Sequence, residues 1–147
     1  DAEPADLMGE KNLYQNVKMV TAFAEKSGAV VAATGKNDIV SDGRKAYWIQ
    51  NGHSMMQTVT GVGCQLSALA AAYVAANPKY TLEAVTAAVS AIGVCGELAY
   101  ERMSDLDGNA SYRNYLIDAV YRLDGKKLER LARVEKVNEN GEKSNEM

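Results

Sequence analysis

The chain has 147 residues, about the length of a single domain, and its 47% hydrophobic and 24% charged residues are typical of a folded globular protein. This composition argues against a disordered chain, a collagen-like repeat or a disulfide scaffold. The net charge of -3 argues against a protein that binds nucleic acid through its phosphates.

The first third of the chain predicts a helix followed by three strands. Residues 12–27 carry apolar side chains at helical spacing and are followed by Gly28, a residue that commonly ends helices. Residues 29–33 are apolar on both faces, so we expect a central parallel strand. Asp38–Ser41 and residues 45–50 are rich in strand formers and are joined through an Asp-Gly pair, which predicts a β-hairpin.

The rest of the chain predicts mainly helices. Residues 51–63 are rich in glycine and form a loop, and residues 64–76 form a small-residue helix that we expect to be buried. A longer helix is expected from Thr81, as its N-cap, to about Arg102. Further helices are predicted over residues 111–123 and 126–131, and an edge strand over residues 133–137.

Two glycines interrupt the longest predicted helix. Gly93 and Gly96 each cost about 1 kcal/mol relative to Ala inside a helix. Their presence is easier to understand if another backbone passes close by, so we expect a close approach at these positions.

The order of elements indicates the fold class α/β, but with few strands for so many helices. We expect residues 1–137 to form the carboxyl-terminal half of an α/β domain and residues 138–147 to form a polar, disordered tail. The two cysteines, Cys64 and Cys95, are not at metal-ligand spacing and are expected to be reduced thiols in a cytoplasmic protein. The longest apolar run, residues 66–76, is interrupted only by Ser67 and is too short to span a bilayer, so no membrane contact is expected.

The stretch most suggestive of chemistry is VTGVGC, residues 59–64, which leads directly into a helix. A glycine turn at a helix start directs several backbone N–H groups, and the positive end of the helix dipole, at one point. Such a turn suits an anion such as phosphate, although the spacing is not that of a P-loop. A tight turn before a packed helix is the simpler alternative.

Three side chains are candidates for a role beside this turn. Cys64 lies in the first turn of the helix and could act as a base or nucleophile, or be only a small helix-start residue. His53 either hydrogen-bonds within its loop or acts as a general base. Thr34 follows a predicted strand, where ligands bind in open α/β sheets.

Three ordered motifs resemble the hydroxyethylthiazole kinase family of thiamine salvage. They are TGKNDIVSDG at residues 34–43, NGHSMM at residues 51–56 and VTGVGC at residues 59–64. Two later stretches, GVCGELAYE at residues 93–101 and LIDAVYRL at residues 116–123, are similar to helices of the same family. Two positions depart from the family pattern. Val62 stands where Thr or another small residue is frequent, and Ser54 stands where Pro is common.

The resemblance implies a ribokinase-like three-layer sandwich, of which this chain is about the second half. It implies transfer of the ATP γ-phosphoryl group to the hydroxyl of 4-methyl-5-(2-hydroxyethyl)thiazole. Gly61, Val62, Gly63 and Cys64 would form the anion hole, and Gly61 would also lie near the substrate hydroxyl. Cys64 would be the catalytic base and Thr34 an ATP-binding residue.

The resemblance also implies ATP and Mg2+ as cofactors, with the Mg2+ ligands in the absent amino-terminal half, and we assign no metal ligand to this chain. The implied partners are that missing half and further copies in a homotrimer. Two alternatives stay open: a truncated nucleotide-binding half without activity, and a related ribokinase-fold kinase for another small alcohol.

Overall fold

The computed structural model describes residues 10–35 and 38–138, and the architecture below concerns those ranges. Helix α1 (Glu10–Ser27) is followed by strands β1 (Val31–Ala33), β2 (Asp38–Ser41) and β3 (Ala46–Ile49). A short 3-10 helix, Ser54–Thr58, precedes helices α2 (Val62–Ala76), α3 (Thr81–Glu101), α4 (Asn109–Arg122) and α5 (Gly125–Leu131), and strand β4 (Val134–Val137) ends the described chain.

The four strands form one sheet in the order β1-β2-β3-β4, and every pair is antiparallel. The predicted hairpin is confirmed, because β2 pairs with β3 around a turn in which the Asp42 carboxylate accepts the backbone N–H groups of Arg44 and Lys45, both at 2.8 Å. The predicted edge strand is confirmed as β4, which pairs with β3 alone among the described strands.

Alternation along β2 divides the core into two sides of the sheet. Ile39 belongs to an apolar cluster with residues of α1, whereas its neighbour Val40 packs with residues of α3. Both side chains are buried, as expected where successive residues of a strand point to opposite faces. Helix, sheet and helix therefore form three layers.

The prediction that residues 29–33 form a central parallel strand is wrong about how the strand pairs. Residues 31–33 pair antiparallel with β2, and β1 stands at the end of the described sheet. Ala32 on this strand is exposed. The apolar run predicts that both faces of the strand are buried. Among the described residues, however, β1 pairs with a neighbouring strand along one edge, and Ala32 is left exposed.

Helix α2 begins two residues earlier than predicted and is not buried. Val62, Leu66 and Leu69 pack against the core, but no residue of α2 is fully buried. Its outer face carries exposed small side chains at Ala68 and Ala72. Composition alone indicated burial, and the described chain provides no element that covers this face.

Helix α3 is the core helix, with thirteen of its residues buried. Among the described ranges it is also the helix that is long and apolar enough to cross a membrane, and 72% of its apolar window is buried inside the structure. Its N-cap is Tyr80 and not Thr81 as predicted, because the Thr81 hydroxyl donates back to the Pro78 carbonyl oxygen at 3.4 Å. The extension of α3 through both glycines to Glu101 is confirmed.

The end of the predicted domain coincides with the end of β4 at Val137. Asn138 is exposed, and the rest of the expected polar tail, residues 139–147, lies outside the described residues.

Candidate active site at the glycine loop

The glycine loop, residues 61–64, forms the start of α2. Gly61 is the N-cap and has a φ of 99°, a left-handed conformation that favours glycine. The Gln65 N–H donates to the Gly61 carbonyl oxygen at 3.0 Å. The N–H groups of Val62, Gly63 and Cys64 precede that bond, so by helix geometry they have no partner within α2 and point out of its end.

The space beside the glycine loop is open. A Cβ built on Gly61 or Gly63 would meet no heavy atom within 4 Å. Cys64 is exposed and makes no disulfide, whereas Val62 turns toward the core cluster. Packing therefore does not explain Gly63, and a helix start whose N–H groups lack partners within the helix, beside empty space, is suited to an anion.

The residues before the glycine loop are anchored in the core. Val59 is buried in a cluster with residues of α3 and α4, among them Cys95 and Tyr112. The Thr58 carbonyl oxygen accepts the side-chain N–H of Asn109, at the start of α4, at 3.2 Å. The loop thus rests on two helices.

A polar clamp fixes the start of the segment that leads to the glycine loop, at residues 51 and 52, to α3. The Glu97 carboxylate accepts the backbone N–H of Gly52 at 2.8 Å and the side-chain N–H of Asn51 at 3.2 Å. Both guanidinium NH2 groups of Arg133 also donate to it. Burial raises the pKa of Glu97, but the hydrogen bonds from Arg133, Gly52 and Asn51 outweigh burial and hold that pKa below its ordinary value. The carboxylate is therefore ionised at neutral pH.

His53 is engaged within its own loop. Its Nδ1 atom accepts the Met55 N–H at 3.1 Å and caps the 3-10 helix. Its ring stacks on Tyr100 with the ring centroids 3.6 Å apart. The sequence left two interpretations of His53 open, a hydrogen bond within its loop or a general base. These contacts support the hydrogen bond within the loop.

Thr34 is exposed and follows the carboxyl end of β1, as predicted. Its neighbour Gly35 donates its N–H to the Asp38 carboxylate at 2.8 Å, which closes the turn between β1 and β2. Because Ala33 pairs with Ile39 and Asp38 pairs with Ile49, β1 and β3 end at the same edge of the sheet. Thr34 and the loop that leads to Gly61 therefore leave the sheet from one side.

An open cleft of about 410 Å³ lies next to the glycine loop. It is lined by Thr58, Val59, Thr60, Asn109, Ala110 and Arg113. Thr60 directly precedes Gly61, so the cleft is continuous with the loop along the chain. Arg113 is exposed and adds positive charge. The sequence did not connect Asn109 or Arg113 with the cleft, or Glu97 with Gly52, because these relationships arise only when α3 and α4 pack beside the segment that leads to the glycine loop.

The second cysteine lies in the core. Cys95 is fully buried on α3, and burial raises the pKa of its thiol to about 11. It is therefore a protonated packing residue at neutral pH. Both thiols are free, as expected.

Comparison with known proteins agrees with the motifs. The model of the hydroxyethylthiazole kinase family matches residues 7–126. A hydroxyethylthiazole kinase of Clostridium acetobutylicum is 49% identical over 135 residues, which are 92% of this chain and 50% of that protein. Hydroxyethylthiazole kinase 2 of Clostridium botulinum strain 657 is 36% identical over 121 residues, which are 82% of this chain and 43% of that protein.

A solved structure shows the same relationship. The hydroxyethylthiazole kinase protein of Pyrococcus horikoshii OT3 superposes with a TM-score of 0.77 at 34% identity, over 84% of this chain and 47% of that one. The chain thus spans about half the length of the relatives that it matches. The expected α/β, ribokinase-like fold is confirmed, with this chain as one portion of it. On its motifs, its family match and its fold, the chain belongs to the hydroxyethylthiazole kinase family.

Proposed function

We propose that this chain supplies the phosphoryl-transfer half of an enzyme that phosphorylates the hydroxyl of 4-methyl-5-(2-hydroxyethyl)thiazole with ATP. The observation that carries the proposal is the open start of α2, where the N–H groups of residues 62–64 have no partner within the helix, the space at Gly61 and Gly63 is empty and Cys64 is exposed. Phosphoryl transfer depends on positioning and charge stabilisation, and backbone N–H groups at a helix start supply both.

Each residue of the glycine loop has a role in this proposal. ATP, when bound, supplies the γ-phosphoryl group. The N–H groups of Val62, Gly63 and Cys64 hold its oxygens, and Gly61 leaves room for the substrate hydroxyl. As the new O–P bond forms and the bond to the β-phosphate oxygen breaks, the thiolate form of Cys64 accepts the hydroxyl proton at Sγ and becomes the thiol. Thr34 contacts ATP from the adjoining edge of the sheet.

Mg2+ is assigned to the half of the fold that this chain does not contain. Within residues 10–35 and 38–138, no three His, Cys, Asp or Glu side chains lie together as a metal site. None of the roles proposed above passes through a metal bound to the described residues.

The exposed apolar surface supports association with the amino-terminal half of the fold and with further copies in a homotrimer. The outer stripe of α2 is made of exposed small residues, namely Ala68, Ala71, Ala72 and Ala75. On α1, Met19 and Phe23 are 57% and 60% exposed. Surfaces of this kind are usually covered in an assembly. Two unpaired cysteines fit a cytoplasmic location.

The test combines this chain with the amino-terminal half of the Clostridium acetobutylicum relative. That relative is chosen because the region of it that matches this chain is 49% identical. The mixture is incubated with ATP, Mg2+ and the thiazole alcohol, and the phosphorylated thiazole is measured by mass spectrometry. We expect product with the two halves together and little with this chain alone.

The variant C64A should lower kcat by about 10²-fold or more while nucleotide binding is retained. Parallel assays with a hydroxymethylpyrimidine and a sugar distinguish the related kinases. Nucleotide binding without phosphorylation of any alcohol would support the inactive-half alternative and contradict the proposal.

A further inference from the structure

We propose that Glu97 and Arg133 form a positioning clamp that holds the glycine loop in place for phosphoryl transfer. This inference rests on the function proposed above. The two residues are 36 positions apart, and neither belongs to the glycine loop. They act on it through the connecting segment, residues 51–60.

The clamp joins three separate parts of the chain. Glu97 lies on α3, Arg133 lies between α5 and β4, and Asn51 begins the connecting segment. Asn51 is 5% exposed and uses every polar group of its side chain: its amide N–H groups donate to Glu97 and to the Leu131 carbonyl oxygen, and its Oδ1 accepts the Arg133 N–H at 2.6 Å. A fully used buried amide tolerates little movement.

The backbone at the start of the connecting segment needs an external restraint. Gly52 has a φ of 136°, outside the range that side-chain-bearing residues favour. Its N–H is held by Glu97 Oε1 at 2.8 Å. The guanidinium of Arg133 also donates to the Gln50 carbonyl oxygen at 2.9 Å, so the residues on both sides of Asn51 are held by the same ion pair.

Between the clamp and the glycine loop the segment lies against α3. A Cβ on Gly96 would collide with Met56 Sδ, so the Met56 side chain of the segment packs directly on α3 at this glycine. Val59 then anchors in the core two residues before Gly61. A segment fixed at its start, middle and end transmits the position of Glu97 to the N–H groups that would face phosphate.

The test compares E97Q and R133K with a matched control, D118N. Gln at position 97 keeps the size of Glu but offers an NH2 group where only acceptors fit, and Lys at position 133 keeps the charge but loses the bidentate contact. Asp118 on α4 forms an ion pair at 2.9 Å with Arg102, the C-cap residue of α3, and within the described residues neither side chain hydrogen-bonds to the connecting segment.

Hydrogen exchange is measured on this chain, and kinase kinetics on the mixture with the amino-terminal half. For E97Q we expect exchange of the hydrogen-bonded N–H groups in residues 52–59 to be at least about tenfold faster, with α1 unchanged, and for R133K a smaller change in the same residues. In the kinase assay we expect kcat to fall about tenfold with the KM for thiazole unchanged. D118N should behave like the unmodified chain in both measurements.

Unchanged exchange of the N–H groups in residues 52–59 would overturn the clamp even if the unmodified mixture is an active kinase. An equal rise of exchange throughout the chain would also overturn it, because the pair would then serve stability alone. If the unmodified mixture shows no kinase activity, the proposed function fails, and the exchange data still decide whether the clamp holds the loop.

Discussion

Gly93 on α3 lies directly against the backbone of Asn51. A Cβ at position 93 would lie 2.8 Å from the Asn51 carbonyl oxygen and 2.9 Å from its carbonyl carbon. The close backbone approach predicted at this glycine is confirmed, and it occurs at the residue where the segment leading to the glycine loop begins. At Gly96 the close neighbour is instead the side chain of Met56.

Replacement of Gly93 by Ala is expected to destabilise the fold. Helix propensity favours Ala by about 1 kcal/mol, whereas forcing a methyl group against backbone atoms, which cannot rotate away, costs about 2–3 kcal/mol. We expect a net loss of about 1–2 kcal/mol in the free energy of unfolding, measured by urea denaturation. G125A is the control, because a Cβ at Gly125 meets nothing within 4 Å. Equal stability of G93A and G125A would contradict the contact.

Replacement of Gly63 by Ala should separate folding from function. The added Cβ meets no heavy atom within 4 Å, so urea denaturation should show a midpoint equal to or above that of the unmodified chain. The same methyl group occupies the open side of the proposed anion hole. We expect weaker ATP binding and at least about a tenfold loss of kcat in the reconstituted kinase. Full activity of G63A would argue against phosphate at this position.

The two cysteines should differ in their reactivity toward thiol reagents. Cys64 is exposed, whereas Cys95 is buried and the pKa of its thiol is raised to about 11. We expect iodoacetamide at neutral pH to modify Cys64 alone in the folded chain and both thiols after unfolding in urea. Peptide mass spectrometry identifies the modified residue. Labelling of Cys95 in the folded chain at the same rate as Cys64 would contradict its burial.

Asp38 should make stability depend on pH. Burial raises the pKa of its carboxyl from 3.8 to about 6, against the opposing effect of the Gly35 N–H. Because the pKa in the folded state is the higher one, the folded state is favoured at low pH, and this advantage is lost as the pH rises through about 6. D38N keeps an oxygen to accept the Gly35 N–H without the charge. It should match the unmodified chain near pH 4 and exceed it by roughly 2 kcal/mol near pH 8.

Urea denaturation from about pH 4 to about pH 8 measures the free energy of unfolding of D38N and the unmodified chain. D42N is the control, because the pKa of Asp42 shifts in the opposite direction. Burial raises the pKa of Asp42, but the backbone N–H groups of Lys45 and Arg44 and the charge of Lys45 together outweigh burial and lower that pKa. The stabilisation by Asp42 is present above its ordinary pKa and is lost as the pH falls through the lowered value. D42N should therefore be less stable than the unmodified chain at neutral pH. A difference between D38N and the unmodified chain that does not vary with pH would contradict the buried carboxyl.

Elements governed by local rules were predicted closely. The hairpin around Asp42 follows from a turn residue between two strand-forming runs, and the structure places β2 at the predicted residues. The start of α2 was predicted within two residues, because a glycine turn and a helix start are encoded by adjacent residues. Burial of α2 was not predicted correctly, since burial depends on what the rest of the fold places against a helix.

The sequence by itself determined the family, the glycine loop and the candidate residues Gly61–Cys64 and Thr34, because motifs, helix starts and turns depend on residues close together in the chain. Only the tertiary structure decided the antiparallel pairing of β1, the packing of Gly93 against Asn51, and the contact of Glu97 with Arg133. These relationships join residues far apart in the chain. Their formation depends on the packing of whole helices and strands, and no local pattern encodes which distant partner a side chain will meet.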